Sequence, residues 1–282
     1  MKRRPLFEAA WYFVNAMLVL SVLLCIYCFA WEYSTRKYLQ GFSDAIIPAT
    51  ATPLEKVETI LNWMSSGPAR RPMQDARGIS DRDPEATLNY QALLKVCGTA
   101  TNAFVNIANA SGIPARRLLL LNKYKTANHV VAEVRIDNEW IVVDPSFRVI
   151  PRGPTGNLLT RDDLAEPQIF QYVFQRVPGY PPEYDYNETV HLRMARVPLV
   201  GKYLRTAFDH IVPGWEDSVF VTLLAERLSF TATSVSVVFL LFFLLVRLVL
   251  RHYGESHFGV HYFRFRDRLW RAFQSFLREP SS

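Results

Sequence analysis

Two long apolar runs bracket a middle stretch in which helical and strand periodicities alternate. Ala9 to Trp31 and Leu228 to Val246 carry no charged residue, and a helix needs about 20 apolar residues to cross a bilayer. Between them, Thr52-Pro53-Leu54-Glu55 predicts a helix start: a hydroxyl cap, a proline at the first helical position and a glutamate at the third. Leu54, Val57, Leu61 and Met64 continue it as an apolar stripe that stops at Ser66-Gly67-Pro68. A second helical pattern, Ala100, Ala103, Phe104, Ile107 and Ala108, ends at Ser111-Gly112-Ile113-Pro114. There glycine can turn left-handed, isoleucine can pack back and proline cannot continue the helix. His129–Ile136 and Glu139–Val143 read as strands. Asp137-Asn138 between them suits a two-residue hairpin turn, because both residue types tolerate positive φ. That turn pairs Ile136 with Glu139, Val134 with Ile141 and Val131 with Asp144. His129 and Asp144 then lie on one face of the sheet as diagonal neighbours. A slip of one residue would separate them.

Composition sharpens this picture at the ends of the chain. Half of the 282 residues are hydrophobic and the net charge is +6. The excess charge sits at the termini: Lys2, Arg3 and Arg4 before the first apolar run, and Arg264, Arg268, Arg271 and Arg278 among the basic residues after the second. The middle is neutral, which excludes a basic face for nucleic acid. Trp11 and Tyr12 flank one end of the first run, and Tyr27, Trp31 and Tyr33 the other, as interfacial anchors do. Bulky residues fill the exit where a cleaved signal peptide would have small ones, so the run reads as an uncleaved anchor. Cys25 and Cys28 inside it read as apolar packing. The tail alternates arginines with Phe265, Leu269, Phe273, Phe276 and Leu277, a basic amphipathic helix suited to an anionic leaflet or to a membrane protein.

The candidate chemistry lies from 96 to 147. Cys97 precedes a helical pattern, where free N–H groups and the helix dipole favour a thiolate. A buried core cysteine is the plain alternative for Cys97 taken alone. His129 could serve as its base, and Asp144 could orient that base. The alternative for that pair is a core histidine beside an aspartate that opens the Pro145 turn. Gln91, six residues before Cys97, could add an amide N–H beside the Cys97 backbone N–H to stabilise an oxyanion. A surface glutamine on a helix is an equal reading of it. Glu133 shares the His129 face and reads as a structural partner of Arg116 or Arg117. The middle has no zinc spacing and no acidic calcium loop, so no cofactor and no metal is expected.

These motifs resemble the transglutaminase-like superfamily. The resemblance rests on a Cys opening a helix, Gly112-Ile113-Pro114-Ala115-Arg116 after it, and His129-Val130-Val131-Ala132-Glu133-Val134. Trp140-Ile141-Val142-Val143-Asp144-Pro145 completes it. The sequence departs from the usual pattern at Lys95, where glycine is common, and at Val130-Val131, where an aromatic follows the histidine. The resemblance implies an α+β, papain-like fold with Cys97 as nucleophile, His129 as base and Asp144 as orienter. Family members include crosslinking enzymes, peptide deglycosylases and cysteine peptidases.

The expected organisation is a cytoplasmic N-terminus (1–8), a transmembrane helix (9–31), a linker (32–51) and the transglutaminase-like domain (52–190). A juxtamembrane segment (191–227), a second transmembrane helix (228–250) and a basic cytoplasmic tail (251–282) complete it. Positive charge outside both spans places the termini in the cytoplasm and the domain outside, periplasmic in a bacterial inner membrane. The expected partners are a protein or peptide substrate, membrane lipids and other membrane proteins, with no nucleic acid. The leading reading is a thiol acyl-transfer enzyme, a peptidase or amidase by default because no lysine-binding or water-excluding feature is visible. The other reading is a non-catalytic subunit of a membrane assembly, for example one that builds or exports envelope polymers.

Overall fold

The computed structural model describes residues 4–66, 83–88, 96–124, 126–192, 203, 206, 209–212, 214–215 and 218–259. In chain order the helices are α1 (Arg4–Ile46), α2 (Pro53–Ser66), α3 (Pro84–Thr87) and α4 (Cys97–Ala110). Strands β1 (Ala115–Leu121), β2 (Ala127–Ile136) and β3 (Glu139–Val143) follow, then α5 (Arg161–Ala165), α6 (Pro167–Phe174) and β4 (Thr189–Val190). Last come α7 (Val219–Glu226) and α8 (Leu228–Phe258). The chain forms two compact units: Ala30–Ala232, and the pair Met1–Phe29 with Thr233–Ser282.

The larger unit is built on a four-stranded antiparallel sheet of order β3-β2-β1-β4. Its hairpin has the expected register, with Ile136 opposite Glu139 and Val134 opposite Ile141. Asp137 (φ 48) and Asn138 (φ 72) make the tight turn in the left-handed region, the conformation that matches a right-handed strand twist. Alternation along the strands then sorts two cores. Ala132, Val134, Ile136, Ile141 and Val143 face α4 and α2, together with Ala103, Phe104, Ile107 and the α2 residues Val57, Ile60, Leu61 and Met64. Leu118, Leu120, Val131 and Val142 face the other way, under Leu159, Leu164, Val173, Phe174 and Tyr186.

The ends of the two leading domain helices form as their sequences require. Thr52 and Glu55 exchange hydrogen bonds at the start of α2: the Glu55 carboxylate takes the Thr52 N–H, and the Thr52 hydroxyl takes the Glu55 N–H. At the end of α4, Gly112 is left-handed (φ 84) and the Ile113 N–H returns to the Ala108 carbonyl at 2.9 Å.

Two expectations need correction. The stretch 32–51 is not a patternless linker, because α1 runs on to Ile46. Leu39 is fully buried in the domain core with Phe42, Ile46 and Ile47 beside it, and Gln40 with Asp44 bridges one exposed turn. The stretch 68–86, polar and rich in Arg, Asp and Pro, reads in sequence as an exposed loop, but its described residues 83–86 do not form one. Asp83 caps α3, and Pro84 and Thr87 are buried. The segments 67–82, 193–202 and 260–282 lie outside the described residues, and so does the basic amphipathic part of the tail.

The smaller unit pairs the outer parts of α1 and α8. Both helices are long and apolar enough to cross a membrane. Their most apolar windows are only 22% and 11% buried, which is unlike the core helices of a soluble protein. Cys25 and Cys28 are free and buried. The Thr233 hydroxyl donates to the Cys28 carbonyl at 3.0 Å, and Arg247 reaches Asn15 at 2.9 Å. At the far end, Phe7 packs on Tyr253 and Phe258, and a Cβ at Gly254 would lie 2.6 Å from the Phe7 ring.

Candidate functional site

The nucleophile candidate is positioned by a helix start. Cys97 is the first residue of α4 and is partly exposed, while Gly98 to Ala108 behind it are buried. The last common register pair of β2 and β3 is Ala132 with Val143, so β2 runs on toward Ala127 without β3 beside it. Along this open stretch the Thr101 hydroxyl of α4 donates to the Val130 carbonyl at 3.0 Å. The β1–β2 register also shifts between Leu120 and Leu121, next to the Leu120–His129 pair. Such irregularities re-aim side chains, and this one adjoins the histidine.

His129 and Asp144 sit on one face, as the hairpin register requires. The imidazole Nε2 lies 2.7 Å from Asp144 Oδ2, with both side chains almost wholly buried. The other oxygen, Oδ1, accepts the backbone N–H groups of Ser146 (3.0 Å) and Phe147 (3.1 Å). Asp144 therefore opens the Pro145 turn with one oxygen and holds the histidine with the other. His129 Nδ1 is buried with no complete hydrogen bond, and the Cys97 thiol is the titratable group within its reach. The thiol and the imidazole are close enough to perturb each other but stop short of a fully formed bond, as catalytic contacts often do without substrate.

The electrostatics favour a separated pair of charges. Burial pushes the Cys97 thiol up, but the hydrogen bond and charge of His129, with the backbone N–H groups of Val130 and Gly98, bring it below its ordinary value. Burial pushes His129 down, but Asp144 and then Cys97 raise it to about 9. Both shifts favour the thiolate–imidazolium form of the pair over the neutral one.

Sequence reasoning did not find the aromatic surroundings of the histidine. Tyr184 stacks on the imidazole, with ring centroids 4.2 Å apart and planes 6° apart. Tyr180 and Phe147 meet it edge-on at 6.2 and 5.9 Å. The Tyr180 and Tyr186 hydroxyls are buried without a complete hydrogen bond. Burial first holds both phenols far above their ordinary range and so neutral, helped at Tyr180 by Tyr186 and then Asp144, and at Tyr186 by Asp144. The proline-rich loop 176–187 turns Tyr180 and Tyr184 onto His129. Their spacing at 180, 184 and 186 was visible; nothing local linked them to His129.

Glu133 lies on the same face, bonded to Arg116 Nε at 2.7 Å and to His191 Nε2 at 2.8 Å. Arg116 also covers the Trp140 ring at 3.9 Å. Of its two expected partners Glu133 takes Arg116; Arg117 goes elsewhere. Gln91 lies outside the described residues.

Residues 40–145 match the family model described as the transglutaminase-like superfamily. No curated protein and no solved structure matches the chain. The matched stretch starts within α1 and ends one residue past Asp144, so it holds Cys97, His129 and Asp144 but neither the tyrosine loop nor α7.

Proposed function

Because the chain carries a transglutaminase-like domain, the fold of cysteine-based enzymes and their relatives, we propose that it is a membrane-anchored thiol acyl-transfer enzyme with Cys97, His129 and Asp144 as its triad. The observation that carries this reading is the 2.7 Å contact between His129 Nε2 and Asp144. It leaves Nδ1 for a partly exposed thiol at a helix start.

In the reaction, the Cys97 thiolate attacks a peptide or carboxamide carbonyl carbon, and its electrons move onto the carbonyl oxygen. Backbone N–H groups at the start of α4 would receive that oxyanion. Collapse breaks the C–N bond, His129 Nδ1 gives its proton to the leaving amine, and a thioester remains on Cys97. Water or an amine then loses a proton to His129, attacks the thioester and releases an acid or a new amide with the thiolate restored. Asp144 keeps the imidazole oriented and stabilises the imidazolium throughout. Hydrolysis is the default outcome, with a peptidase or amidase acting on an extracytoplasmic protein or peptide. The hydropathy and exposure of α1 and α8 support anchoring, and the basic termini support a cytoplasmic location for both chain ends.

The competing reading is a transglutaminase-like interaction subunit of a membrane assembly, favoured by the two apolar helices. The discriminating experiment expresses Cys97→Ala beside a slow variant, Asp144→Asn. The enzyme reading expects loss of function with Cys97→Ala and a hydroxylamine-labile acyl adduct on Cys97 in Asp144→Asn. Full function with Cys97→Ala and no adduct would establish the subunit reading instead.

A further inference from the structure

Helix α4 is not apolar all round. Asn102 and Asn106, one turn apart, are 0% and 1% exposed, and a buried carboxamide is costly without partners. The partners come from Glu226, the last residue of α7, and Arg227, which joins α7 to the apolar helix α8. Asn102 Nδ2 donates to the Glu226 carbonyl at 2.6 Å and to its carboxylate at 3.0 Å. Asn106 Oδ1 accepts from Arg227 Nε at 3.2 Å.

From these two residues the network runs in opposite directions. Toward the site, Arg117 Nη2 donates to the Glu226 carboxylate at 2.8 Å and lies 3.4 Å from the Gly98 carbonyl, while Arg117 Nε is an ion-pair contact 2.6 Å from the other carboxylate oxygen without a formed hydrogen bond. Gly98 follows Cys97, and its N–H is among the groups that favour the thiolate. Toward α1, Arg227 Nη1 meets Glu32 at 3.0 Å, and Ser229 donates to the same carboxylate at 2.7 Å. The whole chain of bonds lies within the unit Ala30–Ala232. Glu32, Glu226, Arg227 and Ser229 fall outside the family match over 40–145. Buried ionic networks give little net stability relative to apolar packing. What this one does is tie the polar face of α4, through Glu226 and Arg227, to Arg117 and Glu32.

We propose that Glu226 and Arg227 are positioning residues for the nucleophile helix, so that the reactivity of Cys97 depends on the bonds they make to Asn102, Asn106, Arg117 and Glu32. This rests on the reading of Cys97 as the nucleophile.

The test uses the full chain in lipid bilayers, with two readouts: the iodoacetamide alkylation rate of Cys97 at pH 6, and thermal unfolding. Glu226→Ala strands the Arg117 guanidinium and should lower both. The double variant Arg117→Met with Glu226→Met removes both charges at similar volume and should recover the unfolding temperature. Its alkylation should stay at least about tenfold slower than wild type, as small misplacements of reacting groups allow. Arg227→Lys keeps a charge for Glu32 but cannot hold Asn106 as well. It should be slow too, and it decides the matter should the double variant not fold. Wild-type alkylation in a folded double variant, or in Arg227→Lys, overturns the positioning role alone. A wild type already slow at pH 6 overturns the nucleophile reading and this inference with it.

Discussion

The imidazole of His129 is held from three sides: Asp144 in its plane, Tyr184 on its face and Cys97 at its remaining nitrogen. A cation stacked on a ring is stabilised by the ring quadrupole. Tyr184→Leu should therefore lower the imidazolium pKa and move the alkaline limb of the activity profile to lower pH, which a titration of rate against pH would show. Asp144→Asn should slow alkylation of Cys97 less than His129→Ala, since it weakens orientation and charge stabilisation without removing the base. The histidine also makes stability depend on pH. Its folded pKa of about 9 lies above the roughly 6.5 of an unfolded histidine. Its contribution is complete below about 6.5 and fades as pH rises through the folded value. Unfolding temperatures measured from pH 6 to 10 should fall over that window, and less so in His129→Gln. The three triad candidates were legible because each has its own local signal: a helix start, a strand face and a strand end. The tyrosines were not, because their contact with His129 is made across a long stretch of chain.

At the scale of elements, the hairpin carries the most weight. Its two-residue turn puts His129 and Asp144 on one face, and positive φ at both turn residues makes it tight. Asn138→Val should cost about 1–2 kcal/mol, because a β-branched residue resists the left-handed region. Asn138→Gly should be neutral or better; urea unfolding of the two variants checks the contrast. The same turn rule made the register readable in advance. The end of α1 was harder to read. Leu39, Phe42 and Ile46 have helical spacing, but they follow an apolar run whose end looked like a boundary. Only the domain core explains why the helix continues. The polar face of α4 was equally hidden. Asn102 and Asn106 carry no local signal for burial; their partners, Glu226 and Arg227, lie more than a hundred residues later.

For the whole molecule, the apolar helices and the basic ends predict an orientation with both termini in the cytoplasm. Reporter fusions at Ser34 and Ser282 should report the outside and the cytoplasm respectively, and an external signal at Ser282 would contradict two spans. The account as a whole depends on one chemical property of the assembled chain, a thiolate at Cys97 sustained by His129. The direct measurement is the rate of Cys97 alkylation by iodoacetamide as a function of pH, in the full chain and in His129→Ala. The expected result is fast alkylation at pH 6 in wild type and a marked loss in His129→Ala, with Cys25 and Cys28 slow in both. A rate that rises only near the roughly 8.5 of a free cysteine, and is the same in His129→Ala, would contradict it.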